Sequence, residues 1–203
     1  MDKEKYHDEL LWQKCHSDDL WIFDKLILSK KLNYVCGPHG LGVPKPDFYI
    51  VRPCVNLMGM GRSAKFMWIE KSTYNLIPDG TFWCEIFKGR HLSIDYADGE
   101  QILCVEGIRK TDDPIWKWSE WKKTEDVIPM PNILKTLKGT YRYFNVEMIG
   151  DKIIEIHLRL NPDWASGDWD SIIPVFEGDN IQPPDGYNFR EDRDFKRLGF
   201  FVK

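Results

Sequence analysis

The stretch YFNVEMIGDKIIEIHLRLN, residues 143–161, contains the pattern that decides the fold. Two runs of alternating apolar residues flank a Gly-Asp pair, which predicts a β-hairpin. Each strand of this hairpin has one apolar face and one polar face. The polar face carries Asn145, Glu147, Glu155, His157 and Arg159. We therefore ask which register the hairpin adopts and what its polar face binds.

The length of the turn decides which side chains face each other. A two-residue turn pairs odd with even residue numbers and mixes the apolar and polar faces. A three-residue turn over residues 150–152 instead places Glu147 opposite Glu155 and Asn145 opposite His157. Because a buried apolar face requires unmixed faces, we predict the three-residue turn.

Two glutamates directly opposite each other repel and destabilise the strand pair. A cation between them reverses the sign of this effect, and Mg²⁺ binds carboxylate and phosphate oxygens readily. The alternative is a solvated face on which Arg159 and Lys152 offset the two negative charges. The hairpin by itself leaves both interpretations open.

The composition is that of a globular protein with a substantial core. Of 203 residues, 42% are hydrophobic and 30% are charged, and nine tryptophans favour a β-rich, well-buried interior. The formal net charge of -4 argues against nucleic-acid binding, because phosphate contacts need clustered Lys and Arg. We expect no nucleic-acid partner.

The cysteines and the first residues bear on the compartment. Five cysteines are scattered without a C-x-x-C pair, which favours a reducing compartment and gives no zinc spacing. The first residues lack a signal-peptide core, and no apolar run is long enough to span a bilayer. We expect a cytoplasmic protein with no membrane partner.

The remaining pattern predicts an α+β fold with many strands and few helices. We predict helices at 18–32 and 131–138, strands at 48–53, 65–71, 81–87, 91–96 and 101–110, a loop at 36–46, and mainly loop in the last 40 residues. The segment 112–130 has no clear pattern.

Four segments form an ordered series: FDK (23–25), FYIVRP (48–53) followed by LMGMGRSA (57–64), GTFWCEIFKGRHLSIDY (80–96) and IEIHLR (154–159). They resemble motifs of the ATP-grasp superfamily in the order that the family uses. These motifs are the D-K that opens the first helix, the V-K-P strand with its glycine-rich flap, the hinge E-x-x-x-G-x-E-x-S-V-D and the closing E-x-N-x-R. The pattern is similar to that of small, divergent members, including viral ones.

The resemblance implies two lobes of mostly antiparallel sheet that clamp ATP, with magnesium between the phosphates and a carboxylate pair. We predict a single domain over 1–203, with an N-terminal lobe over about 20–87 that holds the flap. The C-terminal lobe over 88–203 contains the hairpin. A viral member would work in the host cytoplasm.

The resemblance also assigns the residues that bind the nucleotide. They are Lys25 and Arg52 at the phosphates, Gly59 and Gly61 in the flap, Glu85 and Phe87 in the hinge, and His91 at the ribose. Arg52 stands where lysine is usual. A planar, always-charged guanidinium suits bidentate phosphate binding.

The metal and catalytic residues follow from the closing motif. Glu147 and Glu155 match the magnesium-binding acids, and Arg159 matches the basic residue near the transferred phosphate. His157 stands where asparagine is usual, and we expect it to hydrogen-bond a phosphate or a water. Arg109 lies where the family often places a basic residue for the γ-phosphate, but solvation explains a strand-end arginine equally well.

Most members of the superfamily activate a carboxylate as an acyl phosphate and pass it to an amine or thiol. We therefore expect an ATP- and Mg²⁺-dependent carboxylate–amine ligase. The alternatives are an ATP-grasp kinase and a non-catalytic nucleotide-binding or structural module. We expect the separate substrate-binding domain of many members to be absent. We expect a small-molecule, peptide or protein substrate, with a partner protein or a second copy of the chain completing the substrate site.

Overall fold

The computed structural model describes residues 7–55, 61, 63–137, 139–165, 167–194 and 196–203. Two antiparallel sheets form the framework of this part of the chain, and its helices are short. The predicted α+β class is confirmed. Within the described ranges, no helix has both the length and the apolar character that crossing a membrane requires.

The helical elements are α1 (Asp8–Lys14), α2 (Lys25–Lys31) and α3 (Asn132–Lys135), with 3-10 turns at Ser17–Phe23, Tyr74–Leu76 and Pro162–Trp164. The first six strands are β1 (Cys36–Pro38), β2 (Asp47–Pro53), β3 (Lys65–Ile69), β4 (Thr81–Cys84), β5 (His91–Ala97) and β6 (Glu100–Ile108). The other six are β7 (Glu120–Lys123), β8 (Tyr143–Ile149), β9 (Lys152–His157), β10 (Ser171–Phe176), β11 (Asn188–Asp194) and β12 (Arg197–Val202).

The two sheets differ in size and in the core that they bury. The smaller sheet has the strand order β1-β4-β2-β3, and the larger has the order β11-β12-β10-β7-β6-β5-β8-β9. The apolar face of β8 and β9 packs on the segment that contains α2, where Phe23, Leu28, Val146 and Ile156 are buried together. This packing brings the start of α2 beside the hairpin.

The predicted single helix at 18–32 is instead a 3-10 turn followed by helix α2. The Asp24 carboxylate interrupts the pattern by accepting hydrogen bonds from the amides of Leu26 and Ile27, at 2.8 and 3.0 Å, and so caps α2. The residues before it, Ser17–Phe23, form a 3-10 turn. The cap places Lys25 at the first position of α2, where it is buried.

The last 40 residues are not mainly loop, and that prediction is wrong. Strands β10 to β12 lie there, and Ile172, Phe200 and Val202 are core residues. The proline in β10 obscured the strand pattern in the sequence. Pro174 lies beyond the two residues that pair with β7, so the N–H group that proline lacks is not needed for that pairing. Likewise β1 occupies the start of the predicted loop 36–46.

The hairpin has the predicted register but not the predicted turn. Glu147 pairs with Glu155, and Asn145 pairs with His157. The ladder nevertheless continues to Ile149 and Lys152, which leaves a two-residue turn. The one extra residue on β9 is accommodated by a β-bulge at Ile154. Alternation fixes which faces match, but it does not say where the extra residue goes.

Residues 85–90 link the two sheets. Strand β4 ends earlier than predicted, so this segment is a linker and not part of the strand. The linker crosses the hairpin turn at close range. A Cβ atom added at Gly89 would lie 2.7 Å from the Cα of Gly150, and one added at Gly150 would lie 2.6 Å from the Lys88 carbonyl oxygen. Both glycines have positive φ, so glycine serves here for space and for conformation. The predicted lobe boundary at 87/88 falls within this linker.

Candidate functional site

A cleft of about 870 Å³ lies between the two sheets, and the polar face of the hairpin forms part of its lining. This volume is within the range of small-molecule sites. Ten of the predicted site residues line it: Lys25, Arg52, Gly61, Phe87, His91, Arg109, Glu147, Glu155, His157 and Arg159. Segments far apart in the sequence thus meet in one place.

Glu85 is not among the residues that line the cleft. Glu85 is directed to the backbone of Val35, whose amide donates to the Glu85 carboxylate at 2.9 Å. The Glu85 amide in turn donates to the Val35 carbonyl at 2.9 Å, so this amide is not available to an adenine edge. Gly59 lies outside the described residues. Phe87, by contrast, lines the cleft and packs edge-on against Tyr34.

The polar face of the hairpin is buried, so the solvated alternative is wrong for most of it. Asn145 and His157 are each 2% exposed, Glu155 is 7% exposed and Arg159 is 9% exposed. Charged groups at this depth need partners. The structure supplies them from both sheets and from the N-terminal helix.

Glu155 is surrounded by cations. Its Oε2 lies 3.3 Å from Lys25 Nζ, and its Oε1 lies 3.4 Å from His157 Nε2. Burial alone would raise the pKa of Glu155, but Lys25, His157 and Arg52 together hold it well below the usual range. Glu155 is therefore a carboxylate at neutral pH.

Glu147, opposite Glu155, is more open and has a different partner. Its Oε2 lies 3.2 Å from His91 Nε2. The His91 ring packs edge-on against Trp118 and Trp121, with centroid distances of 4.5 and 5.5 Å. Burial and Glu155 would raise the pKa of Glu147, but the bond to His91 and the charges of His91 and His157 together lower it. The predicted ribose contact of His91 thus competes with its bond to Glu147.

Arg52 connects the two sheets at the bulge. Its NH2 donates at 2.9 Å to the carbonyl oxygen of Ile154, the residue that the bulge leaves unpaired. Its Nε is buried and has no hydrogen-bond partner among the described residues. Burial lowers the pKa of Arg52, opposed by Glu155 and Glu147, but a guanidinium remains charged. An unpaired buried N–H of this kind suits an anionic ligand such as a phosphate.

Asp8, in α1, is a site residue that the sequence did not indicate. Its carboxylate lies 3.0 and 3.1 Å from His157 Nδ1 and accepts a hydrogen bond from Arg159 Nε at 2.8 Å. Burial alone would raise the pKa of Asp8, but His157 and Arg159 lower it to about 2. Burial and Arg159 would lower the pKa of His157, but Asp8 and Glu155 raise it to about 9. His157 is therefore a cation at neutral pH.

A second polar layer supports the hairpin from β5. Asp95 accepts hydrogen bonds from the side chain of Asn145 at 2.8 Å and from the amide of Asn161 at 2.9 Å. Asn145 also donates to Ser93 at 2.8 Å. Burial raises the pKa of Asp95 to about 6, against the lowering effect of these bonds. Asn145 is thus a structural link and not a free cleft ligand.

An ion-pair cluster from the C-terminal strands borders the same cleft. Arg197 donates to Asp163 at 3.1 Å and to Asp192 at 3.2 Å, and both Asp163 and Arg197 line the cleft. The position of Asp163 just after the closing motif was a signal for this residue. Nothing in the sequence pattern indicated Arg197. Arg109 lies at the exposed rim, where it donates to the Asp113 carbonyl at 2.8 Å.

The fit to a magnesium ion rests on two carboxylates. Within the described ranges, no three His, Cys, Asp or Glu side chains converge as a metal site. Glu147 and Glu155 are paired residues, and Mg²⁺ is commonly held by one or two carboxylates together with phosphate oxygens. The residues therefore suit a magnesium ion that arrives with a polyphosphate, and not an all-protein metal cage.

No protein-family model matches the chain, and no curated protein matches it either. Solved structures do. The chain is similar to N5-carboxyaminoimidazole synthetase from Staphylococcus aureus complexed with ADP, at 11% identity and a TM-score of 0.58, over 96% of this chain and 72% of that one. The same enzyme without the complex matches with a TM-score of 0.54. The chain has the ATP-grasp fold.

Two further solved structures match with lower TM-scores. An L-amino acid ligase from Bacillus licheniformis matches at 11% identity with a TM-score of 0.47, over 71% of this chain and 42% of that one. A D-alanine–D-alanine ligase from Bacillus anthracis matches at 16% identity with a TM-score of 0.39, over 68% and 57%. The chain thus spans less than two thirds of the length of these two ligases. These two likenesses carry no argument about the reaction or the substrates of this chain.

Proposed function

We propose that the chain is an ATP- and Mg²⁺-dependent ligase that activates a carboxylate as an acyl phosphate and transfers it to an amine. The observation that carries the proposal is the meeting of Lys25 and Arg52 with Glu147, Glu155 and Arg159 in one cleft between two sheets. Cations from one side and a carboxylate pair from the other are what a metal–polyphosphate complex requires.

The proposed roles follow the partners that each residue has. Lys25 and Arg52 bind phosphate oxygens, Arg52 through the nitrogens that its bond to Ile154 leaves over. Glu147 and Glu155 hold magnesium, which would neutralise charge on the phosphates when bound. Arg159 stabilises the transferred phosphoryl group. Phe87 lies in the linker, where it would pack against the base.

His157 takes a role that the usual asparagine cannot. Because its pKa is raised to about 9, it brings a positive charge beside Glu155. A cation here favours phosphate oxygens over a second metal ion. We therefore propose that His157 binds phosphate and that this chain relies on one carboxylate pair for the metal.

The first test is the stability of the chain with and without ATP and Mg²⁺. A ligand at a hundred times its Kd stabilises the folded state by about 3 kcal/mol, which thermal unfolding detects easily. We expect a clear shift with the nucleotide and a further shift with the metal. No shift in either case would contradict the proposal.

The metal assignment is tested by the double variant Glu147→Gln, Glu155→Gln. It should lose the magnesium-dependent part of the shift, whereas Glu100→Gln, exposed at the start of β6, should keep it. Product analysis then separates the reaction classes. An amide together with ADP supports a ligase, a stable phosphorylated product without an amide supports a kinase, and binding without ADP release supports a non-catalytic module.

The substrates are proposals of a more general kind. We expect a donor with a carboxylate and an acceptor with an amine, as a small molecule, a peptide or a protein. The Asp163–Arg197 pair borders the cleft and is the described feature best placed to contact either one. A partner protein or a second copy of the chain remains the proposed means of completing the substrate site.

A further inference from the structure

Asp8 holds two residues of the cleft from behind. His157 and Arg159 line the cleft, whereas Asp8 is not part of that lining. The His157 ring stands between two carboxylates, with Nδ1 at 3.0 Å from Asp8 and Nε2 at 3.4 Å from Glu155. The Arg159 guanidinium is held in the same way, with Nε bonded to Asp8 and NH1 bonded to the carbonyl of Leu160.

We propose that Asp8 is a positioning residue of the site, which orients Arg159 so that its remaining nitrogen faces the ligand and holds the His157 ring with its charge beside Glu155. The inference rests on the proposed function, because it assigns a phosphate-binding role to both residues. A carboxylate behind a functional histidine fixes the ring orientation and the nitrogen that carries the proton. Asp8 does this for a histidine and an arginine at once.

The charges of His157 and Arg159 favour such a group. The two residues are two positions apart, both are buried, and Arg159 disfavours the charged form of His157. Two neighbouring cations in a desolvated site are costly unless an anion compensates them. Glu155 compensates His157 on one side only, and it is also shared with Lys25. Asp8 contacts both cations directly.

The N-terminal helix is fastened in a way that suits this role. Asp8 begins α1, and the chain just after the helix is tied to Tyr141, whose hydroxyl accepts from the amide of His16 at 3.2 Å and lies 3.3 Å from the Cys15 sulfur. Tyr141 also donates to Asp19 at 2.9 Å. The helix is therefore held at both ends, and Asp8 has a defined place although α1 buries none of its residues.

The test compares two nucleotide probes in the full chain with Mg²⁺: ADP and AMP-PNP, a stable ATP analogue. Arg159 is assigned to the terminal phosphoryl group, so loss of its orientation should affect AMP-PNP selectively. We expect Asp8→Ala to weaken AMP-PNP binding about tenfold, in line with the loss of other orienting carboxylates, and to change ADP affinity less than about twofold. Glu9→Gln, on the exposed side of α1, should change neither.

The conservative variant Asp8→Glu should recover part of the lost discrimination, because it restores the anion. Asp8→Asn, which keeps the shape, replaces Asp8→Ala if the latter does not fold. An unchanged ratio of the two affinities in Asp8→Ala or Asp8→Asn would overturn the proposal. Equal weakening of both nucleotides together with lost stability would also overturn it, because that is the result of a purely structural role.

A second measurement does not depend on nucleotide binding. The Nε–H proton of Arg159, assigned by NMR with an Arg159→Lys variant, should exchange slowly with water in the parent chain. It should exchange rapidly in Asp8→Ala and slowly again in Asp8→Glu. If the parent chain binds neither probe, the proposed function fails, while this signal still decides whether Asp8 holds Arg159. Rapid exchange in the parent chain would overturn the positioning role.

Discussion

Glu155 and Glu147 face each other across one hairpin, yet their surroundings differ. Glu155 lies on β9, is buried, and contacts cations from α2 and from its own strand. Glu147 lies on β8, is partly open to the cleft, and has His91 and an aromatic cluster beside it. From this difference we infer that the buried glutamate stabilises the structure in addition to its proposed role in the site. We expect the open one to change partners when a ligand enters.

The largest expected effect is the removal of a cation that compensates the charge of Glu155. Lys25→Met leaves Glu155 with less compensation at a depth where both side chains are under 10% exposed, 8% and 9%. We expect a loss of about 3 kcal/mol in the free energy of unfolding, measured in urea. Lys31→Met, on the same helix, should cost less than about 1 kcal/mol.

The double variant Lys25→Met, Glu155→Leu sharpens this result. Replacing both members of a buried ion pair by apolar residues is often close to neutral, so most of the lost stability should return. Loss of stability in the double variant equal to that in Lys25→Met would mean that Glu155 is held by other groups.

The next effect concerns the turn that places both glutamates. Gly150→Ala introduces a Cβ atom 2.6 Å from the Lys88 carbonyl oxygen, whereas Gly178, with a similar positive φ, has nothing within 4 Å. We expect Gly150→Ala to be less stable than Gly178→Ala by about 2 kcal/mol, because only the first adds a steric clash to the conformational strain. Equal unfolding free energies for the two variants would show that the close contact with the linker adds no cost in stability.

Asp95 extends the comparison to a buried acid without a bonded cation. Because burial raises its folded-state pKa from 3.8 to about 6, its contribution favours folding below pH 4 and is lost as the pH rises through 6. The contribution should grow by about 1 kcal/mol between pH 7.5 and pH 5. Asp95→Asn should lack this increment. Urea unfolding of both proteins at the two pH values gives the difference, and parallel pH profiles would contradict the assignment.

The smallest effect is expected on the Glu147 side. His91→Phe keeps an aromatic ring against Trp118 and Trp121 but removes the bond to Glu147. For a partly open pair we expect a loss of less than about 1 kcal/mol in unfolding free energy. Magnesium-dependent stabilisation by ATP should persist, because Glu147 then has no competing partner. Loss of that stabilisation would show that His91 contributes more than a bond to Glu147.

Much of this site could be predicted because local sequence patterns determine it. Alternation determined the pairing of Glu147 with Glu155, since only that register keeps one face apolar. The resemblance, through the order of its motifs, predicted that Lys25 and Arg52 lie in the same cleft. The turn length was missed because a bulge at Ile154 changes the residue count without changing the faces.

Other features had no local signal. Asp8 is 149 residues from His157, and a single aspartate near an N-terminus carries no pattern that points to a distant strand. Arg197 reaches Asp163 only because β12 pairs with β10, and β10 was hidden by its proline. The split of the helix at Asp24 was missed because a 3-10 turn and an α-helix both bury residues at spacings of three and four.

Arg52 has a consequence for the width of the cleft. It belongs to the smaller sheet, and the Ile154 carbonyl that it binds belongs to the larger one, at a distance of 2.9 Å. Separating the sheets by more than about 1 Å breaks such a bond. We therefore expect this guanidinium both to hold the gap between the two sheets and to bind the anion that fills it. A lysine carries all its donors on one nitrogen, so it does not span two such groups as a planar guanidinium does.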